Sequence, residues 1–347
     1  MKKVFLFIST LAIIAGCKDQ KIDFPDYTLQ AVYFPLQTPL RTLSLGEDWI
    51  DNSLDKELKF DIGVCIGGMY ENKKNWTVDY VVDNSLTTGV TVGGSPLLYL
   101  PSSYYTLAPE GTATIPSGSF IGRIRVSMNQ SFLDDPLAIT GQYVIPLRIT
   151  DTSADSVLSG KSTGAQAVPD VRIVDDWATG KTPKNWVLFG IKYVNAYHGN
   201  YIQRGRNIHS LGGVPKDTAV YRTKYVENNR IISMTTSAKD AVICNSISNL
   251  TTSGTNIYQM KLAFTNITGN SGSVTISPVT GSIYSVTGTG QYIEKAKSTE
   301  GYSGLILQSM YLNYTYTSGA NTYAVTDTLI FRDRAIKYEE LAIVVTR

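Results

Sequence analysis

LQSMYLNYTYTSGANTYAVTDTLIFRD, residues 307–333, holds two long strand-like runs on either side of TSGANT, whose serine, glycine and asparagine suit a hairpin turn. Similar runs follow one another from NWVLFGIKYV at residue 185 to LAIVVTR at residue 347, giving ten or eleven candidate strands in meander order. An open sheet of that many strands would expose two edges, and closure on itself removes both. We therefore expect an antiparallel β-barrel of the lipocalin or avidin type over residues 184–347.

The first half of the chain shows the period-two alternation of half-buried strands. Ile124, Val126 and Met128, for example, alternate with polar residues, and Gly, Pro, Asn and Asp separate the runs. Strand signals lapse between residues 151 and 184, which indicates a domain junction there. The pattern predicts an all-β protein whose first domain, residues 27–175, is a sandwich of about seven short strands.

The N-terminus reads as a secretory signal. Lys2 and Lys3 precede an apolar run from Val4 to Ile14, which is too short to span a bilayer, since a spanning helix needs roughly 20 residues. The small residues before Cys17 resemble the lipobox of bacterial lipoproteins, so we predict a signal peptide over residues 1–16, acylation of Cys17 and a tether over residues 17–26. An ordinary secretory signal with an incidental cysteine is the alternative.

The charge balance argues against a nucleic-acid partner. The sequence has 31 basic and 29 acidic residues, and removal of Lys2 and Lys3 with the signal leaves 29 of each. Nucleic-acid binding requires a basic stripe that displaces counterions from phosphates, and the sequence contains no such cluster.

Two cysteines remain besides Cys17. Cys65 and Cys244 lie in different halves of the chain, and two cysteines do not form a disulfide framework. We expect two sheltered free thiols, with a bridge between the domains as the alternative.

Motifs of catalysis are missing from the sequence. The two histidines, His198 and His209, lack the spacing of a helical zinc motif, and the one G-x-S-x-G match, residues 160–164, lies where strand signals lapse and not at the strand-to-helix turn of a nucleophile elbow. Adjacent acids such as Asp134-Asp135 and Glu339-Glu340 point to opposite faces of a strand, whereas a glycosidase needs two carboxyl groups across one bond. We expect no catalytic residue, metal or cofactor, and keep a glycoside hydrolase as the less favoured alternative.

Several phrases resemble a known family. After the lipobox come AVYFPL, YTLAPEGTATIPSGS and YVIPLRIT, and then LFGIKYVNAYHGNYIQRGR and DTLIFRDR. Together they resemble the Bacteroidetes surface lipoproteins of unknown function encoded in polysaccharide utilisation loci. The resemblance implies an outer-membrane lipoprotein exposed at the cell surface, with an immunoglobulin-like N-terminal sandwich, a barrel-like second domain and a role beside a glycan importer. The resemblance does not identify any ligand-binding residue in this chain.

The stretch YVNAYHGNYIQRGR, residues 193–206, is interpreted as the turn that opens the barrel rather than as a binding site. Gly199 permits a turn that a larger residue resists. Tyr197 and Tyr201 would fill the closed end of the barrel, beside His198. Arg204 would cap the barrel end or pair with an acid.

Carbohydrate binding needs aromatic faces and planar polar groups on a rigid sheet, and the sequence offers both. A polysaccharide or oligosaccharide is therefore the expected ligand, with the bilayer and an outer-membrane glycan transporter as the other partners. A scaffold subunit of that transporter, which touches no sugar, is the alternative. Each candidate platform also has an alternative interpretation as a core or inter-domain aromatic. The candidates are Trp76, Tyr104, Tyr105, Trp177, Tyr311, Tyr314 and Tyr316.

Overall fold

The computed structural model describes residues 25–247, 257–295, 300–301 and 307–347 of the chain. The predicted signal peptide, Cys17 and most of the predicted tether lie outside these residues. Within the described ranges, no helix combines the length and the hydrophobicity needed to cross a membrane.

Strands make up most of the described chain. Those that precede the barrel are β1 (Ala31–Tyr33), β2 (Pro39–Ser44), β3 (Lys59–Gly67), β4 (Trp76–Val82), β5 (Val90–Val92), β6 (Ser95–Pro96), β7 (Leu98–Tyr99), β8 (Tyr105–Ala108), β9 (Thr112–Ile115), β10 (Ile121–Met128), β11 (Tyr143–Thr152), β12 (Ser156–Val157) and β13 (Trp186–Val194). Those of the barrel are β14 (Gly199–Leu211), β15 (Val214–Tyr221), β16 (Arg230–Ala238), β17 (Ala241–Ile247), β18 (Ile257–Thr268), β19 (Ser271–Pro278), β20 (Ser285–Ile293), β21 (Ser309–Ser318) and β22 (Asn321–Asp333). Two short strands follow, β23 (Glu339–Glu340) and β24 (Ile343–Val345).

Helical structure in the described residues is limited to single turns. One short α-helix, α1 (Ser53–Lys56), follows β2. The 3₁₀ turns are Asn84–Thr87, Ser102–Tyr104, Gln130–Asp134, Pro136–Ile139, Val174–Asp176 and Val226–Asn228.

The N-terminal part is a sandwich of two sheets. One sheet has the order β12-β1-β3-β10-β8, and the other has β23-β2-β13-β11-β4-β9. Their inner faces share one core, in which Phe34, Ile62, Val126 and Leu147 are fully buried. The all-β fold with an N-terminal sandwich is therefore confirmed.

Strand β13 corrects the predicted domain assignment, which gave residues 184–347 to the barrel. It lies in the sandwich, antiparallel to β11 and parallel to β2. Val187, Ile191 and Tyr193 point into the sandwich core, and Trp186 and Leu188 are buried on the opposite side. A strand buried on both faces reads as a continuous apolar run, and such a run does not indicate which sheet it joins.

The barrel begins at β14 and is closed. Strands β14, β16, β17, β18, β19, β20, β21 and β22 pair in sequence, and β22 returns to pair with β14 over Leu211 to Asn200. Strand β15 forms a hairpin with β14 and pairs antiparallel with its second half, from Gly205 to Leu211. The predicted antiparallel barrel is confirmed, with eight strands around its circumference.

Side chains fill the barrel interior, which holds a buried carboxylate at mid-height. Asp327 is 1% exposed and accepts hydrogen bonds from Tyr221 Oη (2.5 Å), Tyr314 Oη (2.8 Å) and Gln203 Nε2 (2.6 Å). Burial raises the pKa of Asp327, and these three donors oppose that rise. Gly205 leaves room for the carboxylate, because a Cβ there would lie 2.3 Å from Asp327 Oδ1.

After the barrel the chain returns to the sandwich. Strand β23 pairs with β2, and β24 pairs with β5 in a small sheet of order β24-β5-β6. Leu341, between them, is buried in a third apolar cluster with Leu86, Val90 and Trp186. The sandwich is thus built from residues on both sides of the barrel.

Candidate functional site

The stretch that opens the barrel is packed as a structural turn. Tyr201 is fully buried and its hydroxyl donates to Tyr197 O at 2.9 Å, while Tyr197 stacks on Phe264 with ring centroids 3.5 Å apart. Gly199 has φ +141°, and a Cβ there would lie 2.3 Å from Asp333 O. No larger residue fits this approach of β14 to β22 without a shift of backbone.

His198 is held in its neutral form. Its Nδ1 accepts the backbone N–H of Thr236 at 3.1 Å. Burial, with the positive charges of Arg334 and Lys192, lowers the pKa of His198 to about 4. The ring acts as a hydrogen-bond acceptor within the turn.

The arginine that caps the barrel end facing the sandwich is Arg334. Its Nη1 donates to Ala196 O (2.6 Å) and His198 O (2.8 Å), and its Nε donates to Glu47 O (2.8 Å) in the sandwich. Arg204, the residue expected to cap or to pair with an acid, lies on the outer face of β14. It pairs there with Glu300 at 3.5 Å. Arg204 does not cap the barrel, because only the odd-numbered side chains of β14 point inward. Arg334 has the capping role instead.

Three predicted glycan platforms are core residues. Trp76 is 5% exposed and its Nε1 donates to Asn72 Oδ1 at 2.9 Å. Tyr314 and Tyr316 are 4% and 1% exposed inside the barrel, where Tyr316 stacks on Tyr258 at 4.3 Å. These rings offer no free face to a sugar, so the core interpretation applies to them.

Four other candidates are half-buried. Tyr104 donates to Asp135 at 3.2 Å, and Trp177 Nε1 donates to Asp170 O at 2.8 Å within the segment that connects β12 to β13. Tyr311 lies on the outer face of β21. Tyr105 lines a cleft of about 530 Å³ in the sandwich with Tyr80 and Glu110. Among these four, Tyr105 is the candidate that borders a cleft.

A cleft of about 380 Å³ lies where the sandwich meets the barrel, beside the loop between β2 and α1. Trp49 in this loop is 53% exposed, and its Nε1 donates to Arg332 O in the barrel at 3.0 Å. The hydrogen bond fixes the ring while much of its surface remains in solvent. A fixed and exposed indole is an apolar platform at the edge of a polar cleft.

Two hydroxyl groups in the lining of this junction cleft are unpartnered. Ser44 is 2% exposed, and its Oγ, like Thr42 Oγ1, has no hydrogen-bond partner in the described part of the chain. Buried polar atoms are nearly always hydrogen-bonded, so these two hydroxyls leave hydrogen-bonding capacity in the cleft lining that water or a ligand can use. The surrounding backbone is firm, because Asn52 Nδ2 donates to Ser44 O at 3.0 Å and to Gly46 O at 2.6 Å.

The rim of the junction cleft is acidic. Asp48 and Asp51 flank Trp49 and Ile50, and Asp333 lies on the barrel side. Asp333 accepts hydrogen bonds from Asn200 Nδ2 at 2.7 Å and from the N–H of Ala335 at 3.0 Å. The backbone N–H of Ser53 lowers the pKa of Asp51, which is therefore ionised at neutral pH.

The cations of this cleft are engaged. Arg41 pairs with buried Asp55, whose other oxygen accepts the N–H of Ser44 at 3.1 Å. Arg334 is 2% exposed and donates its hydrogen bonds to carbonyl groups at the barrel end. Carboxylates outnumber cations in the lining, where Asp48, Asp51, Asp55 and Asp333 stand against Arg41 and Arg334.

A second cleft of about 290 Å³ shares Asp48 and Trp49 with the first. Leu307, Gln308 and Phe331 from the barrel also line it. Trp49 thus stands between two recesses, each with walls from both domains.

The chemistry of the junction suits binding. Over the residues that the structure describes, no group of three or more His, Cys, Asp or Glu side chains is arranged to hold a metal ion. The two thiols, Cys65 and Cys244, are free and buried as predicted, and burial raises the pKa of both. What the junction offers is an aromatic face, hydroxyls and carboxylates.

Comparison with known proteins places the chain in a family. Residues 196–335 match the family described as "Domain of unknown function (DUF5627)", and residues 25–156 match a family described as an N-terminal domain. A crystal structure of a protein of unknown function from Bacteroides ovatus is 31% identical, covers 92% of this chain and 100% of its own, and superposes with a TM-score of 0.81. The chain belongs to the DUF5627 family.

The DUF5627 match coincides with the barrel, from the turn before β14 to the end of β22. Two more distant structures are an auxiliary nutrient binding protein from Bacteroides thetaiotaomicron (15% identity, 79% of this chain, 82% of its own, TM-score 0.36) and a second Bacteroides ovatus protein of unknown function (14%, 90%, 99%, 0.39). A comparison with curated proteins found no match.

Sequence reasoning missed the junction cleft of this DUF5627 protein. Trp49 lies in GEDWIDN, outside any periodic run, and Ser44 ends a strand that gave no functional signal. The available signal was compositional, since a tryptophan flanked by acids in a short polar loop is poorly suited to a core.

Proposed function

We propose that this protein is a non-catalytic glycan-binding protein whose site is the junction cleft. The observation that carries the proposal is the exposed indole of Trp49, fixed by Arg332 O, at the edge of a cleft whose lining contains the unpartnered hydroxyl of Ser44. The indole suits the apolar face of a pyranose ring, and the hydroxyls and carboxylates suit its hydroxyl groups.

The affinity expected of one such platform is low. Covering about 60–80 Å² of sugar at roughly 25 cal/mol per Å² contributes on the order of 2 kcal/mol. With a few hydrogen bonds the site reaches about the millimolar range, where roughly 4 kcal/mol corresponds to 1 mM. Display of many copies on one membrane converts weak sites into useful avidity for a long polysaccharide.

The proposed location is the outer membrane, with the protein held by acyl chains on Cys17 and exposed at the cell surface beside a glycan transporter. The sequence around Cys17 supports this part of the proposal. Replacing Cys17 with Ser should release the protein from the membrane fraction. Retention of the variant in that fraction would contradict lipid anchoring.

The first test is binding of the soluble protein, residues 18–347, to a panel of plant and host polysaccharides by affinity gel electrophoresis and calorimetry. Sugar release is measured in the same tubes. Trp49→Ala should weaken binding at least tenfold, because the platform contributes about 2 kcal/mol. Tyr105→Ala, which removes an aromatic from the separate sandwich cleft, is the matched control.

The outcomes separate the candidate functions. Binding lost in Trp49→Ala and kept in Tyr105→Ala supports the junction site, and the reverse assigns the site to the sandwich cleft. Sugar release would identify a glycoside hydrolase. Absence of binding across the panel would favour the scaffold alternative, for which Ile50, 76% exposed beside Trp49, is the observation in support.

A further inference from the structure

We infer that the junction cleft selects uncharged glycans and rejects glycans that carry carboxylate or sulfate groups. The inference rests on the proposed function and adds the class of substrate. It follows from which charges around Trp49 are neutralised and which are not.

Asp48 and Asp51 flank the platform on both sides in the sequence DWID. Both line the cleft, and neither forms an ion pair with any residue of the described ranges. Asp48 also lines the second cleft, where Glu47, Asp48 and Glu294 outnumber the single cation Lys295, so a glycan resting on either side of Trp49 meets an excess of carboxylates.

The neighbouring cations are held by other partners. Arg41 is bound to Asp55, Lys56 is 3.0 Å from Glu47, and Arg334 is buried among carbonyl groups. Arg332 lies 3.7 Å from Asp333. Arg41, Lys56 and Arg332 keep exposed surface, so the selection rests on the excess of carboxylates over cations in the lining and not on a lack of cations.

The unpartnered groups in the cleft lining are neutral. Ser44 Oγ and Thr42 Oγ1 have no partner in the described residues, and each hydroxyl can donate one hydrogen bond and accept others, which matches a sugar hydroxyl. An ionised sugar carboxylate would be taken from water into a cleft whose lining carries more charges of its own sign than of the opposite sign. Like-charge contact of this kind is a recognised means of excluding wrong ligands.

The test uses one backbone in two charge states. A neutral polysaccharide that binds in the panel is oxidised at its primary hydroxyl groups, which converts a fraction of its hexoses to uronates without changing the linkage. At low salt we expect about tenfold weaker binding of the oxidised polymer, because two carboxylates in partly solvated surroundings repel at contact distance by that order.

The double variant Asp48→Asn/Asp51→Asn identifies the cause. It should reduce the ratio of the affinities for the neutral and the oxidised polymer to about twofold. A salt concentration near 1 M should have the same effect on the wild type, because the Debye length then falls to about 3 Å. Asp79→Asn, a carboxylate on β4 bonded to Thr112 Oγ1 at 2.6 Å, is the control that should leave the ratio unchanged.

Two outcomes overturn the inference, and a third removes the proposed function beneath it. Equal or tighter binding of the oxidised polymer would show that the cleft accepts anions. A loss that neither the double variant nor salt relieves would show a steric cause. Absence of binding to every neutral polymer would instead remove the proposed function on which the inference depends.

Discussion

Gly199 is the residue at which the barrel closes, and its conformation gives the first prediction. Gly199→Ala should cost about 3 kcal/mol of stability, because a left-handed φ is combined with a Cβ that would meet Asp333 O. Gly213→Ala is the matched control, since Gly213 has φ +83° with nothing within 4 Å of a Cβ. It should cost about 1 kcal/mol. Urea unfolding measures both, and equal losses would show that backbone contact at Gly199 is unimportant.

The two histidines should act on stability in opposite directions with pH. His198 has a lowered pKa, so its contribution is full above about pH 6.5 and is lost as pH falls toward about 4, where the folded state also takes the proton. His198→Asn keeps an acceptor for Thr236 and does not titrate. Between about pH 6.5 and about pH 4, the free energy of unfolding should fall by about 2–3 kcal/mol less in the variant than in the wild type, as measured by urea unfolding at each pH.

His209 supplies the control for that measurement. Its hydrogen bonds with Asn321 and Asp217 raise its pKa, so its contribution is present in acid and is lost as pH rises through the raised value. His209→Asn should therefore weaken the protein at low pH, opposite to His198→Asn. The same direction of change in both variants would contradict these assignments.

At the residue scale, the sequence predicted what alternation specifies. Period-two alternation over residues 200–206 puts Tyr201 and Gln203 on one face and Ile202 and Arg204 on the other, which is their arrangement in β14. Alternation does not reveal residues whose role depends on a distant element. Trp49 became a platform only because Arg332, 283 positions away in the sequence, accepts its N–H.

At the element scale, the end of β22 holds the loop that carries Trp49. Arg334 Nε donates to Glu47 O, and a Cβ at Gly46 would collide with the guanidinium. Arg334→Lys should weaken glycan binding about fivefold or more and cost about 2–4 kcal/mol, because an ammonium does not reproduce the planar set of donors. Calorimetric titration and urea unfolding measure the two effects.

Arg332→Lys is the control for this element, because the Arg332 side chain is exposed and the bond to Trp49 comes from its backbone carbonyl. It should leave both quantities nearly unchanged. A similar loss of binding in both variants would contradict a specific role for the contact between Arg334 and the loop that carries Trp49.

Element boundaries were predicted less well than element type. The run NWVLFGIKYV was correctly predicted to be a strand, but it was assigned to the barrel, whereas Val187, Ile191 and Tyr193 of β13 pack in the sandwich core. Inclusion in one sheet or another depends on pairing with β11 and β2, which are separated from β13 by many residues. Local sequence contains no record of such partners.

At the scale of the whole molecule, the residues after the barrel seal the sandwich. Leu341 is 5% exposed in the third apolar cluster, so Leu341→Ala should cost about 3 kcal/mol. Val344→Ala, in the same segment but 62% exposed, should change stability by less than about 0.5 kcal/mol. Thermal unfolding measures the loss of stability. Hydrogen exchange of the native protein should show the loss of protection in β2, β5 and β13. A loss confined to barrel strands would contradict this role.

The return of the chain to the sandwich also orders events during biosynthesis. Strands β23 and β24 leave the ribosome after all the strands of the barrel, yet they cover the edges of β2 and β5. The domain that is made first is thus the one completed last, and its edges stay open while the barrel is synthesised. Unpaired edge strands can pair with other chains and aggregate. The newly made protein therefore depends on rapid folding of the barrel, which brings β23 and β24 to their places in the sandwich.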